Sequence, residues 1–156
     1  VSGPELPAEL LRAADIVLII DSIARIAQLA DEGELDSYLA LFTEDAVWTM
    51  PANPATGVDR QLRTGRADLR AGAAERRGAG IQGPGSWTRH VVTGTSVRVH
   101  SPDDGGPARQ ADALSYFRFY VDTRATPRLV SMGSYRDVFR RTSDGWLLAT
   151  RTIGLG

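Results

Sequence analysis

His90 and Asp31 are the two residues whose chemistry stands out in this chain. His90 is one of only two histidines. A histidine trades protons near neutral pH, its unperturbed pKa being roughly 6.5. It lies in Trp87-Thr88-Arg89-His90-Val91-Val92-Thr93-Gly94, a run that alternates like a β-strand and places His90 on the face of Thr88, Val92 and Gly94. Asp31 ends a long apolar helix pattern far upstream, where its carboxylate can fold back toward that strand. An aspartate beside a histidine is a simple general-base unit. The acid holds one ring N–H, and the other nitrogen takes a proton from water or from a carbon next to a carbonyl. If the two do not meet, His90 is a strand histidine bonded to a backbone carbonyl. Asp31, with Glu32 and Glu34, is then a polar turn opposing the helix macrodipole.

Other residues offer supporting parts. Tyr116, Tyr120 and Tyr135 carry phenols able to donate to a carbonyl or a leaving oxygen, though buried tyrosines in sheets often only pack. Trp48, Met50, Phe42 and Val92 are expected to line an apolar pocket. Asp137 and Arg151 fall on strands expected to be adjacent, as a structural ion pair, and Asp112 is a weaker candidate acid. His100 abuts Ser101-Pro102 at a hairpin end and is expected to face solvent. Two histidines so placed, without a third ligand cluster, argue against a zinc or iron site, and no cofactor is expected.

Composition narrows the chemistry further. All eighteen basic residues are arginine, so a lysine Schiff base is excluded. The absence of cysteine removes disulfides, thiolate metal sites and cysteine nucleophiles. A net charge of −1 gives no field for nucleic acid or an anionic membrane. The longest aliphatic run, Ile16 to Ile20, is far short of the ~20 residues that cross a bilayer. With no basic leader or cleavage site recognised, a cytoplasmic setting is expected.

The positioning elements follow from periodicity. At 156 residues the chain suits a single domain over 1–156. Pro4 to Ala30 reads as a helix with Ile16, Ile20, Ile23, Ala27 and Ala30 on its buried face, widened by Ile19 and Ile26. Gly33 breaks it, and Leu35 to Phe42 reads as a short second helix. Ala46 to Met50 is a strand stopped by Pro51, and Arg66 to Arg77 a helix whose apolar face rests on Leu69. Gly78 to Ser86, with four glycines, reads as a connector or pocket lid. It lacks the lysine and spacing of a phosphate-binding loop. Four long strands follow: Trp87 to Val99, Ala111 to Thr123, Leu129 to Arg141 and Gly145 to Ile153, separated by turn signals. Helices first and a strand meander afterwards argue an α+β fold, a curved antiparallel sheet of four to six strands packed against N-terminal helices.

This order carries the motifs Leu41-Phe42-Thr43-Glu44-Asp45-Ala46-Val47-Trp48, Thr88-Arg89-His90-Val91-Val92, Gly133-Ser134-Tyr135-Arg136-Asp137-Val138-Phe139 and Asp144-Gly145-Trp146. Together, over nearly the whole chain, they resemble the SnoaL-like branch of the NTF2-like superfamily. The resemblance implies a cone-shaped α+β barrel, open at one end, with a mostly apolar pocket. Members include scytalone dehydratase, ketosteroid isomerase, polyketide cyclases and small subunits of ring-hydroxylating dioxygenases, so the fold alone does not give a function. The catalytic parts are most similar to scytalone dehydratase, whose aspartate and strand histidine match Asp31 and His90. Its remaining site residues are not matched: Ala30 and Met50 stand where it has tyrosines, and its second histidine falls near Ser115-Tyr116.

The expected function is a cofactor-free lyase or isomerase acting on a small, largely apolar, oxygenated molecule. Asp31 and His90 would transfer the proton, assisted by Tyr116 or Tyr135. The alternatives are a structural dioxygenase small subunit with a large iron-bearing partner, or a pocket that only binds a small ligand. A homodimer is expected through the outer sheet face, with Val97, Val99, Phe117 or Phe119 needing cover.

Overall fold

The computed structural model describes residues 7–156, so the expected helix start at Pro4 lies outside the described residues. Helix α1 runs Ala8–Glu32, with Pro7 at its N-cap, where a missing backbone N–H costs nothing. Its buried face is the register Ile19, Ile23, Ile26 and Ala30. Ile20 stands one residue, about 100°, round the helix from Ile19. That puts it at the margin of the face and leaves it 40% exposed, contrary to the expected burial. Ile16 is likewise only partly buried.

Helix α2 is Leu35–Leu39, shorter than the pattern predicts, because β1 already begins at Phe42 and runs Phe42–Met50. Strand β2, Gln61–Thr64, pairs antiparallel with β1, and helix α3 is Arg66–Gly78. The meander is β3 Arg89–His100, β4 Gln110–Val121, β5 Arg128–Thr142 and β6 Gly145–Leu155. β3 starts two residues later than the alternation suggests, since Trp87 adopts a left-handed φ of 53°.

The six strands form one sheet in the order β2-β1-β6-β5-β4-β3. The sheet is mixed and not purely antiparallel: β1 lies parallel to β6. Register shifts in β1/β6, β3/β4, β4/β5 and β5/β6 bend it, as bulges do. It curls without closing, so β2 and β3 remain its edges.

The curl decides which side chains face the interior. On β4, Ala111, Ala113, Ser115, Phe117 and Phe119 point inward and are buried. Val99 is also buried. Val99, Phe117 and Phe119 therefore cannot supply the outer surface expected to need cover, and Val97 packs partly buried against the core. The outer face instead exposes Val91, Tyr116 and Met132. Among the described residues no helix is long and apolar enough to cross a membrane.

Candidate functional site

Asp31 and His90 meet. The Asp31 carboxylate, 1% exposed, accepts two hydrogen bonds from the same residue. The His90 backbone N–H donates to Oδ2 at 2.7 Å, and the ring donates from Nδ1 to Oδ1 at 2.6 Å. A carboxylate fixed by the backbone N–H can only accept at the ring as well, which places the ring proton on Nδ1. Nε2 of the neutral imidazole then carries a free lone pair. It has no hydrogen-bond partner among the described residues, and His90 lines a cavity.

Three contacts set the geometry of this pair. Phe119, the register partner of His90 on β4, packs its ring 4.5 Å from the imidazole and limits its rotation. The C-terminus of α1, which carries Asp31, is held by Arg77 of α3. That guanidinium donates to the Leu29 and Gly33 carbonyls at 3.0 and 2.8 Å. A cation at the carboxyl end of a helix satisfies its last carbonyls and opposes the dipole. Gly33 is required there for space, because a Cβ would stand 2.7 Å from the Leu29 Cα.

The cavity lies between the inner sheet face, α1 and α3, and spans about 710 Å³ of non-atom space with the open solvent at its mouth included. Trp48, Met50 and Phe119 form part of its wall, as does Ile81 from the glycine-rich segment after α3. Tyr135 faces it too, between the stacked ring of Phe117 at 4.6 Å and the Arg151 guanidinium at 4.0 Å. The Tyr135 hydroxyl has no protein partner among the described residues. Burial pushes its pKa well above the ordinary range, partly offset by Arg151, so the phenol keeps its proton as a donor. Arg151 is held by Asp137 through two bonds, Nε to Oδ1 at 2.8 Å and Nη2 to Oδ2 at 2.7 Å. Burial alone would lower the Arg151 pKa, but the Asp137 charge outweighs it and the net shift is upward.

Several expected site residues fall elsewhere. Tyr116 is 56% exposed on the outer face, one step out of phase with Phe117, and cannot assist at the cavity. Tyr120 does not line it either. Phe42 is buried below the cavity, edge-on to Tyr38 at 5.0 Å, and Val92 packs against the core without lining the space. Asp112 lies on the outer face, where it meets Nε2 of His100 at 2.7 Å. Among the described residues no group of three or more acidic or histidine side chains could hold a metal ion.

Arg76 was missed in the sequence. It lies on the same face of α3 as Leu69, Gly72 and Ala73, at helical spacing i, i+3, i+4 and i+7. That spacing is the signal that could have placed it inside.

Comparison with solved structures defines the class. The chain superposes with a TM-score of 0.73 on an NTF2-like protein with a cystatin-like fold from Novosphingobium aromaticivorans. The two are 23% identical, with 95% of this chain and 86% of that chain covered. The beta subunit of a candidate aromatic-ring-hydroxylating dioxygenase from the same organism matches at a TM-score of 0.68. It is 17% identical, with 94% and 91% covered. A protein from Catenulispora acidiphila, solved in complex with S-DNPA, matches at 0.64 with 23% identity, 88% and 90% covered. The fold is thus that of NTF2-like proteins. More particularly, a SnoaL-like domain model matches residues 11–152, and the chain belongs to that family. A comparison with curated proteins found no match.

Proposed function

We propose that the chain is a cofactor-independent lyase or isomerase for a small, mainly apolar molecule bearing a carbonyl. The observation that carries this reading is the Asp31 grip on His90, which leaves Nε2 open to the cavity. In the proposed step Nε2 removes a proton from the carbon next to the carbonyl. The C–H electron pair moves toward the carbonyl oxygen, which accepts a hydrogen bond from Tyr135. The imidazolium, stabilised by Asp31, then returns its proton. In a β,γ-unsaturated substrate the proton returns to the γ-carbon as the double bond shifts into conjugation, an isomerisation; given to a departing β-hydroxyl, it completes an elimination of water.

The test follows a panel of β-hydroxy ketones in D2O by NMR. Wild-type protein should accelerate α-deuteration or loss of water for at least one compound, and His90→Gln should reduce that rate to background, a fall of about 10²–10⁴-fold. Gln keeps an N–H donor for Asp31, so the thermal midpoint should move little. Equal rates for both proteins, or no acceleration anywhere in the panel, would overturn the reading.

We also propose a homodimer through the outer sheet face carrying Val91, Tyr116 and Met132, exposed apolar side chains that an interface would cover. Light scattering at micromolar concentration should give twice the chain mass. A monomer would overturn it.

A further inference from the structure

Arg76 is buried, 8% exposed, and makes no ion pair of its own among the described residues, although the charge of Glu75, which is paired to Arg63, and the Tyr38 hydroxyl also act on it. Its guanidinium lies 4.6 Å over the Trp48 ring, and its hydrogen bond runs from Nη1 to the Gln61 side-chain oxygen at 3.1 Å. None of its contacts among the described residues is an ion pair. The other buried arginine at the cavity, Arg151, is neutralised by Asp137. A planar cation with unused N–H groups, in a low-dielectric site, is expensive unless an anion completes it.

Two further donors that line the cavity lack full partners. Gln82 is buried, lines the cavity and makes no side-chain hydrogen bond among the described residues. Asn53 uses its side-chain oxygen on the Ala55 N–H and leaves its amide N–H groups available. Arg76 packs over β1 while His90 lies on β3, with β6, β5 and β4 between them. Positive charge therefore stands at one side of the cavity and the Asp31 carboxylate at the other. A ligand with one anionic group has a single favoured orientation in that field.

We infer that the cavity takes a ligand with an apolar body and a carboxylate, held by Arg76 with Gln82 and Asn53, its opposite end directed at His90. This rests on the cavity being the ligand site, as above, and not on His90 being catalytic. The carboxylate fixes the ligand's direction, so the atoms presented to His90 are selected by their distance from the anionic group.

The test compares 2-naphthoate with 2-naphthamide, an uncharged probe of nearly the same shape, by calorimetric titration. Wild-type protein should bind the carboxylate at least ten-fold tighter than the amide. Arg76→Met should bring the two affinities together by weakening the carboxylate alone, whereas Arg76→Lys should keep part of the difference. His90→Gln should leave the ratio intact while removing turnover, which separates failure of the catalytic reading from failure of this one. Equal wild-type affinities, a ratio that survives Arg76→Met, or no binding of either probe at millimolar concentration would overturn the inference. The wild-type ratio decides the matter even if Arg76→Met does not fold.

Discussion

Asp31 and Asp137 are both buried aspartates, and each gives both carboxylate oxygens to one basic residue. Asp137 meets Arg151 across adjacent strands in a bidentate pair that commits both carboxylate oxygens to one guanidinium. Asp31 meets His90 across a helix–strand junction, and one of its two bonds goes to the backbone N–H rather than the side chain. That leaves a ring nitrogen free and a partner whose charge can change. The same residue type in similar burial thus builds a closed structural link in one place and a proton-transfer unit in the other. The difference lies in the partner.

Breaking the closed link should have the larger effect on stability. Asp137→Asn removes the charge facing Arg151, and a buried pair broken on one side costs about 3–5 kcal/mol. Urea unfolding should show a midpoint lowered accordingly, with turnover falling only in step with the folded fraction. A change under about 1 kcal/mol would mean that Arg151 finds water or another acceptor, and that the two aspartates are less different than their geometry implies.

Asp31→Asn should do the reverse, costing about 1–3 kcal/mol in stability but far more in activity. Asparagine has one acceptor oxygen where Asp31 uses two. If that oxygen takes the His90 backbone N–H, its NH2 faces Nδ1, and the ring must carry its proton on Nε2. The base becomes a donor. kcat should fall by about 10²–10⁴-fold with KM nearly unchanged, as expected for a positioning residue acting through His90. Retained kcat would show that Asp31, like Asp137, is only structural.

The sequence made these two pairs legible to different degrees. Asp137 and Arg151 could be paired because turn signals mark the meander clearly and adjacent strands follow each other in the chain. Asp31 and His90 are separated by α2, α3 and two strands, so residue type and family resemblance pointed to them but periodicity could not join them. The phase of β4 was ambiguous, since Phe117 and Phe119 alternate with Tyr116 and Tyr120 and both faces carry aromatic rings. Choosing the wrong face put Tyr116 at the cavity and the phenylalanines outside. β2 escaped notice because Gln61-Leu62-Arg63-Thr64 is four residues long and largely polar. The parallel β1–β6 pairing joins distant segments, which no local pattern records.

The smallest effect is at Tyr135, which lies beside Arg151 and faces the same cavity as His90. Its phenol is held protonated by burial, against the partial opposition of Arg151. An unfolded tyrosine ionises near pH 10. Above that pH the unfolded chain releases a proton that the folded chain retains, so this residue's contribution to stability is full below about pH 10 and declines as pH rises. Tyr135→Phe should leave stability at pH 7 almost unchanged, since the hydroxyl has no protein partner to lose. Above pH 10 it should make the fall of unfolding free energy shallower by up to about 1.4 kcal/mol per pH unit. Denaturant titrations at pH 8, 10 and 11 measure this directly. Parallel pH profiles for variant and wild type would show that Tyr135 ionises as freely in the folded chain as in the unfolded one. Its phenol would then titrate like one in water, and the low-dielectric site invoked for Arg76 would not extend across the cavity to Tyr135.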